Sequence, residues 1–212
     1  MKIEKVLESK DFVACLLHAY GLYLTYGARS SKKVDYFHNY IKIQVEKLFK
    51  IENGYEVKLE QNVSSINSSG RKKCDVVVNK NNIPYIVFPV KIIMTNYKQN
   101  KNNSWENLTG ELLHLKWANP DVQLIPINIF MDKTPYLKKD KLISKYEEIT
   151  YKDIENYNVL KEKNIVYDNI NYILQVNHEC KIGEEFCKIP TFIQFNKNTN
   201  YRTFSEILEE LV

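Results

Sequence analysis

Two β-branched, apolar runs on either side of a tight turn set the firmest limit on how this chain can fold. The runs cover residues 74–78 and 83–94, and the polar residues 79–82 separate them. Short runs of this kind around an Asn-rich turn predict a β-hairpin. Only Pro84, Pro89 and Lys91 interrupt the apolar character of the second run.

Helical and strand patterns surround this hairpin. Residues 10–27 predict a buried helix, and residues 34–49 predict a second helix with Ile41, Val45 and Leu48 on one face. Residues 55–60 alternate as a half-buried strand, so that Glu56 and Glu60 are expected on its surface side.

A third helix and a further strand follow the hairpin. A polar loop over residues 95–103 leads into a helix over 105–117, and residues 122–130 form an apolar strand. Because this helix crosses over between two strands of one sheet, those strands are expected to be parallel.

The order helix, three strands, helix, strand predicts an α/β fold with an αβββαβ core over residues 34–130. Its central sheet is mixed and flanked by helices. Residues 131–212 are expected to pack on this core as a C-terminal extension, within a single domain over residues 1–212. The patterns in the extension predict a helix over 150–163, strands over 172–176 and 191–195, and a helix over 204–212.

Composition is that of a soluble chain with a mildly basic charge. Apolar residues make up 44% and charged residues 26%, and the formal net charge is +4. This charge does not by itself indicate nucleic-acid binding. No apolar run is long enough to cross a bilayer, and Met1–Lys5 lacks the form of a signal peptide. We therefore expect a cytoplasmic protein without membrane contact.

The four cysteines do not form a zinc-binding pattern, because Cys15 and Cys74 stand far apart and the other two have no partners at ligand spacing. Cys180 and Cys187 bracket a short loop that contains a glycine. They are candidates for a local disulfide, which is unusual in a mesophile cytosol and acceptable in a hyperthermophile.

Two charged residues stand inside the apolar hairpin. Asp75 lies in its first strand and Lys91 in its second. Burying an unpaired lysine is costly. The ammonium group of Lys91 therefore either reaches the strand end or pairs with Asp75.

This arrangement resembles the PD-(D/E)XK nuclease superfamily, which includes restriction endonucleases and archaeal Holliday-junction resolvases. Cys74-Asp75 stands where that family has Pro-Asp, and Pro89-Val90-Lys91 stands where it has acid-X-Lys. The resemblance covers roughly residues 34–130. It implies hydrolysis of DNA with Mg²⁺, or Mn²⁺, as the cofactor that polarises the phosphate and activates a water. It also implies a homodimer.

Pro89 occupies the second acid position and cannot bind a metal ion. In one interpretation the carboxylate lies on the following helix, where Glu111 is about 60° from Leu108 and flanks the face toward the sheet, whereas Glu106 is about 160° away. Asp75, Lys91 and Glu111 are then the predicted catalytic residues, with Asp75 and Glu111 as metal ligands. In the other interpretation the site is degenerate, and the chain is a DNA-binding or interaction protein that keeps the nuclease scaffold.

The polar segment after Lys91 is the predicted DNA contact. Its amides and ammonium groups suit phosphates and base edges, and its tyrosine suits stacking on a base; the residues are Tyr97, Lys98, Asn100, Lys101 and Asn103. The run from Lys91 to Glu111 resembles restriction-type members, and the chain also resembles nuclease-like proteins of archaeal spindle-shaped viruses. A viral source would place it in the host cytoplasm. The leading hypothesis is a Mg²⁺-dependent endonuclease acting on duplex or branched DNA.

Overall fold

Two helices pack side by side ahead of the sheet. The computed structural model describes residues 10–195 and 203–212, so Met1–Lys5 lies outside the described residues. α1 spans Lys10–Tyr26 and α2 spans Lys32–Glu46, and both were expected from the sequence. Phe12 of α1 meets Phe37 of α2 with ring centroids 5.5 Å apart.

Three antiparallel strands follow, as the hairpin pattern predicts. β1 spans Tyr55–Ser64, β2 spans Arg71–Lys80 and β3 spans Ile83–Phe88. β2 pairs with both of its neighbours, and the turn at Asn81 and Asn82 takes positive φ values of 51° and 66°. Asparagine tolerates this left-handed conformation better than most residues.

The chain then crosses over through a long helix. β4 spans Val90–Ile93, α3 spans Tyr97–Ala118, β5 spans Gln123–Leu124 and β6 spans Ile127–Met131. β3 pairs with β5 and β4 pairs with β6, and both pairs are parallel. The expected parallel crossover and the αβββαβ order are therefore confirmed.

Two prolines break the central strands at the same level. Pro89 separates β3 from β4, and Pro126 separates β5 from β6, because proline has no N–H to give to the ladder. The N–H of Ile127 still donates to Pro89 O at 2.8 Å, so pairing continues across the break. β1, β2, β3 and β5 form one sheet on one side of this break, and β4 and β6 belong to a second sheet on the other side.

The C-terminal part begins with a separate two-stranded sheet and a group of short helical turns. β7 spans Lys133–Leu137 and β8 spans Ile143–Glu148, and they form a separate hairpin that the sequence patterns did not reveal. In place of one helix over 150–163 the chain forms three short helical segments. α4 spans Tyr151–Ile154, a 3-10 turn spans Glu155–Tyr157, and α5 spans Asn158–Glu162.

The last strands and helix complete the layers. β9 spans Ile170–Asn177 and pairs parallel to β6, β10 spans Phe192–Phe195, and α6 spans Phe204–Glu209. One apolar cluster lies between α1, α2, α6 and the sheet, and a second lies between α3, α4, α5 and its other face. The structure is thus an α/β fold with a mixed sheet covered by helices, as expected.

Among the described helices, none combines the length and the apolar character that crossing a bilayer requires.

The two C-terminal cysteines are adjacent free thiols. Cys180 is buried and Cys187 is exposed, and desolvation together with the neighbouring Cys180 thiol raises the pKa of Cys187. The disulfide suggested by the sequence is not formed in this structure, but the two cysteines are close enough to interact.

Oxidised glutathione should convert this pair to a disulfide, because the exposed Cys187 can attack a sulfur of the glutathione disulfide and release one reduced glutathione. Cys180 then attacks the Cys187 sulfur of the mixed disulfide and releases the second glutathione. The two thiols lose their hydrogens and the glutathione disulfide is reduced. Closing so short a loop should stabilise the fold by about 2 kcal/mol. Peptide mass mapping measures the link, with the buried Cys15 and Cys74 as internal controls. Glutathione retained on Cys187 without an internal link would contradict the expectation.

Candidate metal centre

Asp75 lies where β3 turns away from β2. The antiparallel ladder between these strands runs to the pair Val76 and Phe88, and Pro89 follows. The N–H of Val90 donates to Asp75 Oδ2 at 2.7 Å. This carboxylate therefore spans the gap between the diverging strands, and the backbone hydrogen bond fixes its position.

β1 is folded over at Glu60. This residue has a φ of 53°, in the left-handed region that strands avoid. Gln61 pairs in register with Cys74, yet its side-chain amide exchanges hydrogen bonds of 3.0 and 2.8 Å with that of Asn79. In a straight ribbon these two residues would lie about 16 Å apart, at roughly 3.3 Å per residue. The bend between them contains both Glu60 and Asp75.

His38 reaches the same place from α2. It shares the buried face of that helix with Ile41 and Val45, at helical spacing. Its Nδ1 lies 3.5 Å from Glu60 Oε1, and its Nε2 lies 3.8 Å from Asp75 Oδ2. The residue is only 4% exposed, and neither ring nitrogen has a hydrogen-bond partner.

These three side chains can hold a metal ion. His38, Glu60 and Asp75 each offer one ligand atom, and these atoms all lie within 4.8 Å of one another. Buried polar atoms are nearly always paired. An imidazole with both nitrogens unpaired, facing two carboxylates, therefore fits a site that binds a divalent cation.

The environment of Asp75 favours its neutral form. Burial raises the pKa of Asp75, and the charges of Glu111 and Glu60 raise it further. His38 and the Val90 N–H act in the opposite direction on this pKa. The net shift of this pKa is upward, and a cation bound beside the carboxylate would lower the pKa again.

Lysines flank the cluster. Lys72 Nζ lies 3.0 Å from Glu111 Oε2, and Lys73 forms an ion pair with Glu60. Glu111, the ligand expected from the sequence, lies close enough for its charge to act on Asp75. It is not one of the three clustered ligands, and its carboxylate is paired with Lys72.

Lys91 lies one residue beyond Val90, on β4. It pairs in register with Asn128 of β6, whose amide donates to Asn171 Oδ1 at 2.9 Å. Within residues 10–195 and 203–212, no ion pair joins Lys91 to Asp75. The side chain of Lys91 is half-buried.

The prediction that Tyr97 stacks on a base is wrong. α3 begins at Tyr97, eight residues before the predicted start at Trp105, and this turns the tyrosine ring into the core. The ring is 2% exposed and lies edge-on to Phe130 with centroids 5.5 Å apart. Its hydroxyl donates to Asp153 O at 3.0 Å, so no ring face is left for a nucleotide.

The other predicted contact residues lie on the first turns of α3. Lys98, Asn100 and Asn103 are exposed, and Lys101 is half-buried. The backbone N–H of Lys98 donates to Glu147 Oε2 at 3.0 Å. One of the N–H groups at the start of the helix is thereby paired with a carboxylate.

The sequence patterns did not identify His38 or Glu60 as site residues. Glu60 was expected on the surface, and it is partly exposed, but the bend brings it beside Asp75. A histidine on an otherwise apolar helix face, three residues before Ile41, is a signal that could have pointed to His38.

The replacement Asp75→Asn should stabilise the metal-free protein at neutral pH. Asparagine still accepts from the Val90 N–H but carries no charge. Because the pKa of Asp75 is raised in the folded state, the wild type loses stability as pH rises from about 4 through that raised pKa. We expect the variant to gain about 1 kcal/mol at pH 7 and no advantage below pH of about 4.

Thermal unfolding across pH, without metal, measures this difference. Asp140→Asn is the matched control, since Asp140 accepts from the Leu142 N–H at 3.1 Å on an exposed turn. Equal gains in both variants, or no gain in Asp75→Asn, would contradict the interpretation.

Comparison with protein-family models, with curated proteins and with solved structures found no match to this chain. Its function is therefore argued from the geometry of the site.

Proposed function

We propose that this protein is a divalent-metal-dependent DNA endonuclease. The observation that carries the proposal is the His38, Glu60 and Asp75 cluster, with its buried, unpaired imidazole. The expected Asp75 stands on β2 and the expected Lys91 beyond the break on the neighbouring strand. Two lysines adjoin the cluster and supply positive charge for a phosphate.

Asp75, Glu60 and His38 would hold the ion, and Glu111 is a further carboxylate within electrostatic reach. A divalent cation bound there polarises a phosphate oxygen and lowers the pKa of a water. Lys91 would stabilise negative charge that develops on the phosphate. The imidazole ligand favours Mn²⁺ over Mg²⁺, because Mg²⁺ prefers oxygen ligands alone.

A polar stripe on α3 supports DNA as the substrate. Asn100, Asn103, Asn107 and Glu111 follow at spacings of three or four residues, which places them on one side of the helix. The three asparagines are exposed. From Asn100 to Glu111 the stripe covers about 16 Å, or roughly five base-pair steps. Amide groups along this line suit phosphates and base edges.

Cleavage assays on linear, supercoiled and four-way-junction DNA test the proposal. With Mn²⁺ the wild type should cleave at least one of these, and more slowly with Mg²⁺. His38→Ala and Asp75→Asn should each lower the rate at least about a hundredfold, since several kcal/mol of charge stabilisation depend on the ion. Glu56→Gln is the control, because Glu56 lies on the same strand in an exposed pair with Lys58.

Failure of pure, metal-binding protein to cleave any of these substrates would rule the proposal out. That result would favour the second candidate, a DNA-binding protein without hydrolysis, which Pro89 supports by standing where the family has an acid. In that case Pro89→Glu should create cleavage in the presence of Mn²⁺.

A further inference from the structure

Two consecutive lysines of β2 are paired with glutamates on either side of Asp75. Lys72 pairs with Glu111 of α3, and Lys73 pairs with Glu60 of β1. Successive side chains of a strand point to opposite faces. Lys73 and Asp75, two residues apart, therefore share one face of β2, and Lys72 points to the other face.

Glu60 is shared between Lys73 and the metal cluster. Its Oε1 faces His38 Nδ1 at 3.5 Å, whereas its Oε2 contacts the Lys73 ammonium. A divalent cation between Glu60 and Asp75 would satisfy the charge that now holds Lys73, and it would repel the ammonium. The cation and Lys73 thus compete for one carboxylate.

Lys73 is free to leave, and Lys72 is held more closely. The side chain of Lys73 is 62% exposed and Glu60 is 38% exposed, so water can replace their contact at little cost. Lys72 is 37% exposed and its partner Glu111 only 19%. Lys73 is therefore the lysine that metal binding displaces most easily.

We propose that Lys73 is an internal counter-ion that a divalent cation displaces from Glu60, and that the released ammonium then binds a backbone phosphate of DNA. This inference rests on the proposed function for its substrate. It makes metal binding and DNA binding cooperative, because each ligand removes an obstacle to the other. Such coupling is reciprocal in free energy.

Calorimetric titration with Mn²⁺ alone tests the competition. Lys73→Met removes the competing ammonium and should tighten Mn²⁺ binding about two- to fivefold, the scale of an exposed ion pair. Lys58→Met is the matched control, since Lys58 pairs with Glu56 at 2.8 Å on β1, the strand of Glu60, but outside the cluster. Unchanged or weaker Mn²⁺ binding in Lys73→Met would overturn the proposal.

Fluorescence anisotropy with a phosphorothioate duplex, which keeps its charge and resists hydrolysis, tests the second half. Mn²⁺ should tighten DNA binding by the wild type several-fold and steepen its salt dependence by about one phosphate contact. In Lys73→Met the effect of Mn²⁺ on DNA binding should shrink, because only the contact between the bound ion and a phosphate remains, and Lys73→Arg should restore the full effect. A full effect of Mn²⁺ in Lys73→Met would overturn the release of Lys73 to phosphate.

The two proposals fail separately. If Lys73→Met binds Mn²⁺ more tightly but the wild type cleaves no DNA, the displacement of Lys73 is supported and the proposed nuclease function is ruled out. If the wild type cleaves DNA but Lys73→Met leaves the Mn²⁺ affinity unchanged, the nuclease function is supported and the displacement of Lys73 is ruled out.

Discussion

The hydrogen bond from the Val90 N–H to Asp75 Oδ2 is the contact on which the site depends. The ladder between β2 and β3 stops at the pair Val76 and Phe88, just before Pro89, and leaves a gap between β2 and β4. The Asp75 carboxylate spans that gap, and its hydrogen bond to the Val90 N–H fixes its position. Without this bond, neither the distance from β2 to β4 nor the placement of Asp75 beside His38 would be set.

Three locally unfavourable features meet at this point. Glu60 takes a left-handed backbone conformation, Asp75 is a carboxylate whose pKa is raised by burial, and His38 has two unpaired buried nitrogens. Each of these costs folding free energy on its own. Their convergence within 4.8 Å is typical of a site arranged for binding, because one divalent cation would compensate the charge and the unpaired nitrogen together.

The sequence predicted the layout of the fold better than the composition of the site. Periodicity identified α1, α2, the hairpin and the parallel crossover, since these elements are decided by which residues are buried. The start of α3 was missed because residues 97–104 are polar and rich in asparagine, and Glu147, distant in sequence, stabilises that end of the helix.

His38 and Glu60 could not be derived from local patterns, for a physical reason. Their proximity depends on a bend in β1, and that bend depends on amide hydrogen bonds between Gln61 and Asn79. Strand alternation placed Glu60 on a surface, which is correct for a straight strand. Asp75 was identified because a charged residue within a β-branched run can be recognised from the sequence alone. A bend in a strand that depends on contacts between distant residues cannot.

The bend in β1 has a consequence for self-association. β1 is the edge of the sheet, next to β2, and a long, flat edge invites another chain to add a strand. The left-handed Glu60 interrupts the regular row of outward N–H and C=O groups, and Lys58 and Glu56 add charge beside it. The distortion that forms the site thus also protects this edge from aggregation.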